Sequence, residues 1–355
     1  MLSLKLGLRN LQRNRWRSGL TLGGIAVSVA FMIWMLAFMD GWLDEIARGA
    51  TAIETAQVQV HTVEYADRAR VYRSFPLVPG MIERIRAVDG VLAVSPRIEL
   101  NGLVGHERRS QVARIIGVDP LLERRTTPVA DAVVAGRWLD PAPPPYPASR
   151  EVVVGAGFAR QLQVAPGDEL VVFLEAADGS LGNDLLRVVG IVDTRNSAVD
   201  RMSVFMHLAD AQLLGALEGQ VHELAIRTDD MAGAPATAAA VAAAIGAATA
   251  ADTAAARPPA APADSPDLLV RPWQEILPSV QQMLVIGRQS YWFIYLLLYL
   301  VAAVGILNTQ RMSALERRRE FGVLVAIGMR PRRLVRTLVV EAVVLGLAGA
   351  LIGAL

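Results

Sequence analysis

Hydrophobic residues are gathered into three long, almost uncharged runs, separated by one long polar interval. The runs cover residues 19–39, 289–310 and 337–355, and only Glu341 interrupts the third. A helix of about 20 residues rises about 30 Å, which is the thickness of a bilayer's hydrocarbon core. We therefore predict three transmembrane helices with these bounds and a polar domain at 40–288 between the first and the second.

Basic residues indicate which ends of the spans face the cytoplasm. They cluster in 1–18 (Lys5, Arg9, Arg13, Arg15, Arg17) and in 311–336 (Arg311, Arg317, Arg318, Arg319, Arg330, Arg332, Arg333, Arg336). Positive residues in short segments beside a span lie on the cytoplasmic side. Two spans return the chain to the side where it began, so both clusters give the same orientation. The sequence therefore predicts that 40–288 is periplasmic, in a Gram-negative cell.

A cleaved signal peptide is the competing interpretation of the first apolar run. The apolar core of a signal peptide has about 7 to 15 residues and ends at small residues. The run 19–39 is longer and continues into the sequence FMDGW, which favours a retained span. The chain contains no cysteine, so disulfides, thiolate metal sites and a lipidated N-terminal cysteine are excluded.

The polar interval mixes strand-type and helix-type patterns and predicts an α/β domain. AQVQVH (56–61) alternates as a strand does, whereas VPGMIERIRAV (78–88) has helical spacing. The stretches 91–105 and 110–118 predict two strands that pair with each other.

A second, β-rich lobe is predicted at 126–219, inserted into a first lobe that covers 50–125 and 220–272. Its signals are a strand at EVVV, a short helix at GAGFARQL, and two strands, DELVVFLEA and LLRVVGIVD, joined by a turn at DGSLGND. PAPPPYP (141–147) predicts a rigid loop, because proline cannot join a sheet ladder.

The end of the polar interval has a different composition. Residues 231–267 are rich in alanine and proline, which predicts a surface helix followed by a linker. Residues 274–288 predict a stalk helix that continues into the second span.

Patterns for catalysis or metal binding are weak. A phosphate-binding P-loop needs a lysine after its glycines, and the only lysine is Lys5, far from any such loop. GAGFAR (155–160) lacks the third glycine of the dinucleotide fingerprint, and DGSLGND matches a calcium loop only in composition. The four histidines are scattered along the chain (His61, His106, His207, His222). We therefore predict no metal site and no catalytic activity on this chain.

The segment ALERRREFGVLVAIGMRPRRL contains more than a topology signal needs. Glu316 lies three residues before Arg319 and four before Glu320, a helical spacing with mixed charge. The apolar set of the segment continues the helical pattern (Leu315, Phe321, Leu324, Val325), until Gly328 ends it and Pro331 blocks its continuation. From the residues alone two interpretations remain open: a stop-transfer cluster, or a short amphipathic helix that docks a partner protein.

Four stretches carry a family resemblance. ERRREFGVLVAIGMRPRRL (316–334) resembles the cytoplasmic signature of the MacB/FtsX/LolC-LolE superfamily of ABC transporter permeases, and LGLRNLQRNRWRSGLTLGGIAVSVAFMI (6–33) is similar to its first-helix segment. AFMDGWLDEI (37–46), followed by AQVQVH, looks like the first-span exit of lipoprotein-releasing permeases, as does IIGVDP (115–120). The resemblance covers the whole chain.

The resemblance implies a fold class. It is an α-helical transmembrane protein with a large mixed α/β periplasmic domain, composed of a porter-like lobe and an inserted, β-rich Sabre-like lobe. The family has four spans and this sequence ends inside the third, so we infer that a fourth span is missing from the sequence; a real truncation that makes the protein inactive is the alternative.

The resemblance also implies partners. The chain would pair with a second permease, either a copy or a homologue, and with two copies of a separate ABC ATPase that uses ATP and Mg, while binding no cofactor itself. Membrane lipids and a periplasmic acceptor protein are further expected partners, and nucleic acid is not. The segment 314–328 would be the coupling helix that enters the ATPase, with these candidate residues: Glu316, Arg319, Glu320, Phe321, Gly322 and Gly328.

Two further sets of residues are candidates for function. Aromatic and apolar residues at the outer ends of the first two spans could mark lateral substrate entry (Phe38, Met39, Trp42, Tyr291, Trp292, Tyr295), although such residues are ordinarily interface anchors. Glycines near one face of the third span predict close helix packing that supports permease assembly (Gly346, Gly349, Gly353).

Three functions are compatible with the resemblance. The leading hypothesis is extraction of a lipoprotein or another amphiphile from the outer leaflet of the inner membrane. The alternatives are MacB-like export of peptides or antibiotics and FtsX-like regulation of a cell-wall hydrolase. MacB carries its ATPase in the same chain, and FtsX-type chains have a smaller outer domain, so both fit less well than lipoprotein release.

Overall fold

The structure is a computed structural model that describes residues 15–53, 55–142, 149–246, 248–249 and 267–355. The chain forms two compact units: a helical unit made of Met1–Ile46 with Gln282–Leu355, and a second unit made of Ala47–Gln281, which we call the outer domain after its predicted location. Most of the predicted N-terminal segment, of the PAPPPYP loop and of the Pro-rich part of the linker lies outside the described residues.

The helices, in chain order, are α1 (Arg15–Thr51), α2 (Val63–Asp67), α3 (Met81–Arg86), α4 (Pro120–Thr126), α5 (Ala156–Leu162), α6 (Ser197–Met202), α7 (Leu208–Leu214), α8 (Ala234–Ile245), α9 (Trp273–Ile276), α10 (Pro278–Glu316), α11 (Arg318–Ala326) and α12 (Pro331–Gly353), with a 3-10 helix at Pro128–Ala132.

The strands are β1 (Val58–Thr62), β2 (Phe75–Pro76), β3 (Val91–His106), β4 (Arg109–Val118), β5 (Val133–Gly136), β6 (Arg150–Gly155), β7 (Glu169–Glu175), β8 (Leu181–Val192), β9 (Ser203–His207), β10 (Gln220–Val221), β11 (Glu223–Thr228), β12 (Ala248–Thr249) and β13 (Leu268–Pro272).

Among the described residues, three helices are long and apolar enough to cross a membrane: Leu22–Thr51 within α1, Pro278–Asn308 within α10, and Pro331–Gly353, which is α12. Each contains most of a predicted span and extends beyond it. The predicted stalk helix is divided, because α9 ends at Ile276 and α10 starts at Pro278. The residue before a proline disfavours the helical conformation, and Leu277 accordingly has φ −117° and ψ 65°.

Close packing in the helical unit occurs where side chains are small. A Cβ atom added to Gly287 of α10 would lie 3.2 Å from the side chain of Leu43 on α1, which is buried. Arg288 and Asp44, the next residue on each helix, form an ion pair of 3.5 Å between Nη2 and Oδ1. The C-terminal part of α1 and the N-terminal part of α10 therefore pack side by side.

The outer domain contains an eleven-stranded sheet within the described residues, and its first part has the order β12-β13-β1-β11-β3. β1 lies between β13 and β11 and pairs antiparallel with both. Helix α8 packs on β1 and β13, α3 packs on β3, and α4 packs on β3 and β11. All five residues of β1 are buried, so helices and connecting segments cover both faces of the sheet here.

The second part of the sheet closes into a six-stranded barrel. β3 pairs with β4, β4 with β9, β9 with β6, β6 with β8, β8 with β7, and β7 again with β3. A closed ring leaves none of these strands with a free edge over its paired length. At Gly102 the absence of a side chain allows β3 and β7 to approach, since a Cβ atom there would lie 2.8 Å from the carbonyl oxygen of Phe173.

Alternate residues of each barrel strand point inwards. On β7, Leu170, Val172 and Leu174 are buried in the barrel core, whereas Val171 and Phe173 are exposed. Helices α5 and α7 contribute Phe158, Leu162 and Leu214 to the same core. Another part of the outer face is covered by the segment after α4, whose Val129 and Leu139 pack on strands β4, β6 and β9.

The barrel does not coincide with the predicted inserted lobe. The sequence predicts a division at residue 126, but the ring takes β3 and β4 from the preceding segment and β6 to β9 from the insertion. Strand β3 therefore belongs to both parts of the sheet: Ala93 to Arg97 pair with β11, and Gly102 to Gly105 pair with β7. The inserted strands need this hairpin because without it β7 and β9 would each have one unpaired edge.

The locally encoded elements are confirmed. The stretches 91–105 and 110–118 pair antiparallel, and DELVVFLEA and LLRVVGIVD form a hairpin around Asp178 and Gly179. GAGFARQL contains helix α5 directly after strand β6, as predicted.

Candidate functional site

The candidate coupling segment is a separate short helix between two long apolar helices. Helix α10 ends at Glu316, Arg317 forms a turn, and α11 runs from Arg318 to Ala326. Helix α12 then begins at Pro331. A proline is well placed in the first turn of a helix, where its missing N–H has no helical partner. Pro331 therefore starts the next helix as well as preventing the continuation of α11.

Gly328 ends α11, as predicted. Its φ of +97° lies in the left-handed region that favours glycine. The N–H groups of Ile327, Gly328 and Met329 donate back to carbonyls of Val323, Val325 and Leu324 at 3.0 Å each. These bonds satisfy the carbonyls that a helix end leaves open, so the end of α11 is encoded by its own sequence.

The charges of the segment are arranged around Arg317. Its Nε donates to Oε2 of Glu320 at 3.1 Å, and its guanidinium carbon lies 5.4 Å from the ring centroid of Phe321. The predicted spacing of Glu316 with Arg319 and Glu320 assumes one continuous helix, but the turn at Arg317 separates Glu316 from the other two. The observed pair places an acid in the first turn of α11, where the helix dipole favours it.

Helix α11 presents apolar and charged side chains together. All nine of its residues are at least partly exposed, including Val323, Leu324 and Val325. Cβ atoms added at Gly322 and Gly328 would meet nothing within 4 Å. An exposed helix with apolar and charged side chains next to bare glycine backbone is the geometry of a surface that a partner protein can approach closely.

The candidate substrate-entry residues lie on the packed pair of helices. Phe38 and Met39 are on α1, one to two turns before the Leu43–Gly287 contact, and Trp42 directly precedes Leu43. Tyr291, Trp292 and Tyr295 follow that contact on α10 (all in the helical unit). Phe38, Trp42 and Trp292 are more than half exposed. The two sets are therefore on neighbouring helices, and a role in substrate entry stays a prediction.

The three glycines of the third apolar helix have different surroundings. A Cβ atom at Gly349 would lie 2.7 Å from Cβ of Ile25, and one at Gly353 would lie 2.9 Å from Cβ of Val29, both on α1. A Cβ atom at Gly346 would meet nothing within 4 Å. The sequence predicts that these glycines support contacts between permease subunits, whereas the structure uses two of them to pack α12 on α1 of the same chain.

The described residues contain no group of three or more His, Asp or Glu side chains arranged to hold a metal ion. They do contain a buried cluster of charged groups that the sequence analysis does not predict. It joins Arg97 to Glu123 and Glu223, which are 26 and 126 positions away along the chain. The only local signal is an arginine in the middle of the apolar strand VLAVSPRIEL.

Two family descriptions match the chain. One, a MacB-like periplasmic core domain, covers residues 18–244. The other, an FtsX-like permease C-terminal region, covers residues 292–355. Helix α11, which contains the candidate coupling residues, lies within the second match.

Curated relatives align along almost the whole chain. The lipoprotein-releasing system transmembrane protein LolC of Neisseria meningitidis serogroup B is 24% identical over 359 residues, covering 98% of this chain and 79% of that protein. The macrolide export ATP-binding/permease protein MacB of Bdellovibrio bacteriovorus is 24% identical over 366 residues, covering 99% of this chain and 52% of that protein. The chain thus spans about half the length of this MacB relative.

Two solved structures are similar to the chain. The periplasmic region of MacB from Actinobacillus actinomycetemcomitans has a TM-score of 0.41 at 11% identity and covers 65% of this chain and 94% of that structure. The extracellular domain of YknZ, a transporter from Gram-positive bacteria, has a TM-score of 0.39 at 12% identity and covers 61% of this chain and 100% of that structure. The match of the MacB-like core domain alone extends over more than half of the residues. The chain belongs to the MacB/FtsX/LolC superfamily of ABC transporter permeases.

Proposed function

We propose that this chain is the permease subunit of an ABC transporter that extracts a lipoprotein or another amphiphile from the outer leaflet of the inner membrane. A separate ATPase would hydrolyse ATP with Mg in the cytoplasm, and the outer domain would move the substrate on the periplasmic side. The LolC relative, which aligns with 98% of the chain, supports lipoprotein release as the activity.

The observation that carries the proposal is helix α11. It is a distinct, exposed helix between the second and third apolar helices, and its ends are defined by Arg317 and by Gly328. A cluster of arginines that served only as a topology signal would need neither a defined helix nor the ordered pair of Arg317 and Glu320. We therefore assign α11 to docking of the ATPase.

The proposed assembly has two permeases and two ATPase subunits. Phe321 would be the apolar anchor in the ATPase, with Arg319 and Glu320 setting the register through charge. The exposed aromatic residues at the outer ends of α1 and α10 would meet membrane lipids and the entering substrate. A periplasmic acceptor protein would receive the substrate from the outer domain.

The test compares Glu320→Arg and Phe321→Ala with the wild-type chain. Glu320→Arg removes the acid that pairs with Arg317, and Phe321→Ala removes the ring beneath the same guanidinium. We expect both variants to insert and fold but to lose most of the co-purifying ATPase and most of the substrate-stimulated ATP hydrolysis in lipid. Losing one anchor residue of an interface costs about 2 kcal/mol or more, which is at least a tenfold loss of affinity.

Two control variants separate docking from general damage. Phe321→Tyr keeps the ring, and Glu218→Arg reverses an exposed charge in the outer domain. Both are expected to retain ATPase binding and stimulation. If Glu320→Arg and Phe321→Ala bind the ATPase and stimulate ATP hydrolysis as the wild-type chain does, α11 is only a topology signal.

A further inference from the structure

A buried cluster of charged side chains lies where helix α4 packs on strands β3 and β11. Its centre is Arg97 of β3, which is 3% exposed. Nε and Nη2 of Arg97 donate to the two carboxylate oxygens of Glu123 on α4, at 3.1 and 2.6 Å. Nη1 donates to Oε1 of Glu223 on β11, at 3.3 Å. One guanidinium thus joins three elements of the outer domain.

Hydroxyl groups fix the position of the first carboxylate. Ser95 donates to Oε2 of Glu123 at 2.7 Å, and Thr127 donates to Oε1 at 2.6 Å. With the two bonds from Arg97, the carboxylate of Glu123 is held from both strand β3 and the end of helix α4. Charge-assisted, two-pronged pairs of this kind define both distance and direction.

Arg97 also holds the chain that leaves helix α1. Its Nη2 donates to the carbonyl oxygen of Ile53 at 3.3 Å, two residues after α1 ends at Thr51. The side chain of Thr51 is fully buried. A part-buried backbone carbonyl needs a hydrogen-bond donor in place of water, so the guanidinium of Arg97 stabilises this exit and gives it one defined position.

Stability alone is a weak explanation for such a cluster. Burying charges costs about as much as their attraction returns, and well-packed apolar residues in their place are often as stable or more stable. An apolar contact, however, allows sliding, whereas the planar fork of an arginine requires its acceptors at fixed positions. The distinctive property of the cluster is therefore geometric.

We propose that Arg97 is a positioning residue that fixes the exit of helix α1 on strand β3. β3 continues from Arg97 into the barrel, where Gly102 to Gly105 pair with β7. A displacement of the last turn of α1 then moves β3 and the barrel together. The use of this link in transport rests on the proposed function, but the link itself is a property of the outer domain.

The link is tested by a distance measurement in the full chain. Because the chain has no cysteine, cysteines placed at Gly49 and Leu103, both exposed, are unique sites for spin labels. We expect a narrow distance distribution in the parent chain and a broadened one when Arg97→Met, Glu123→Leu and Glu223→Leu are combined, with an unchanged or higher Tm. The control replaces the exposed pair Arg124 and Asp131, 3.5 Å apart, by Met and Leu, and should leave the distribution narrow.

The outcomes separate positioning from folding and from the proposed function. A narrow distribution in the triple variant overturns the proposal. If the triple variant fails to fold, Arg97→Lys decides, since lysine keeps the charge but loses the fork: a broadened distribution supports the proposal, and an unchanged one overturns it. In the assembled transporter, the triple variant should hydrolyse ATP and lose transport. If the transporter assembled with the wild-type chain does not hydrolyse ATP, the proposed function is contradicted, but the result of the distance measurement still holds.

Discussion

Glu123 and Glu223 share one guanidinium but occupy opposite electrostatic environments. Burial by itself would raise the pKa of Glu123, yet the charge of Arg97 and the hydrogen bonds from Arg97, Thr127 and Ser95 outweigh it and hold that pKa below its usual value. Burial and, after it, the charge of Glu99 raise the pKa of Glu223 to about 7, because together they outweigh the charge of Arg97 and its hydrogen bond. Glu123 thus accepts four hydrogen bonds, two of them from the guanidinium, whereas Glu223 faces a second carboxylate.

The histidines near Glu223 supply no positive charge at neutral pH. His61 lies opposite Glu223 on β1, and burial lowers its pKa to about 4. Burial also lowers the pKa of His222, whose Nδ1 accepts the N–H of Glu99 at 2.9 Å. Arg114 of β4 lies 3.9 Å from Glu99. The cations facing the cluster are thus arginines, and the histidines remain neutral.

We predict that Glu223 makes the outer domain less stable as the pH rises from about 5 to above 7. Its usual pKa of 4.5 applies to the unfolded chain and about 7 to the folded chain, so the folded state holds the proton more tightly. The resulting stabilisation is present at low pH and is lost as the pH rises through this window. Glu223→Gln, which keeps the acceptor for Arg97, should lack this loss. Hydrogen exchange of peptides from β3 and β11 in the full chain measures how this stability depends on pH. The same pH dependence in the wild-type and Glu223→Gln chains would contradict the role of Glu223.

At the scale of elements, the contact between α1 and α12 depends on two glycines of α12. Lipid provides little hydrophobic drive between helices, so close approach of backbones and van der Waals contact hold such a pair together. Gly349 and Gly353 provide that approach, while Gly346 lies on the same helix without a neighbour within 4 Å of an added Cβ. Gly346 is therefore a control position for substitutions at Gly349 and Gly353 on the same helix.

We predict that Gly349→Leu separates α1 from α12 and destabilises the helical unit, whereas Gly346→Leu does not. The added side chain would collide with Ile25, and overpacking of this kind costs about 1–3 kcal/mol. Thermal unfolding of the purified chain in detergent should show a lower Tm for Gly349→Leu alone. A similar loss in both variants would indicate that bulk anywhere on this helix is harmful and that the contact with α1 is not the cause.

The elements show which parts of the structure the sequence encodes locally. The hairpin of β3 and β4, the hairpin of β7 and β8, and the end of α11 at Gly328 are predicted because alternation, turn residues and left-handed glycine act over a few positions. The barrel is not predicted, since its closure depends on β3 pairing with β7. The contacts of Arg97 are missed for the same reason: no periodicity reports a partner 126 positions away.

At the scale of the whole molecule, orientation is the claim on which the proposed function depends. Reporter fusions at Ser95 and Asp178 are expected to report the periplasm, and one at Arg318 the cytoplasm, because clusters of arginine flank α1 and α11 on the same side. Activity of paired reporters, one active on each side of the membrane, measures this directly. A cytoplasmic signal at Asp178 would place the barrel on the side of ATP hydrolysis and exclude the proposed function.

The central position of β1 in the sheet has a consequence for how the protein is made. Val58 of β1 pairs with Ile226 on one side and with Pro272 on the other, so the first strand of the outer domain to leave the ribosome is completed by the last. A topology with such distant pairings has high contact order and folds slowly. During synthesis, β1 and the apolar hairpin of β3 and β4 lack the strands that pair with them in the folded domain. Nascent chains with such unpaired strands are prone to aggregation. We therefore expect folding of this outer domain to depend on chaperones that bind the emerging chain until β13 has been synthesised.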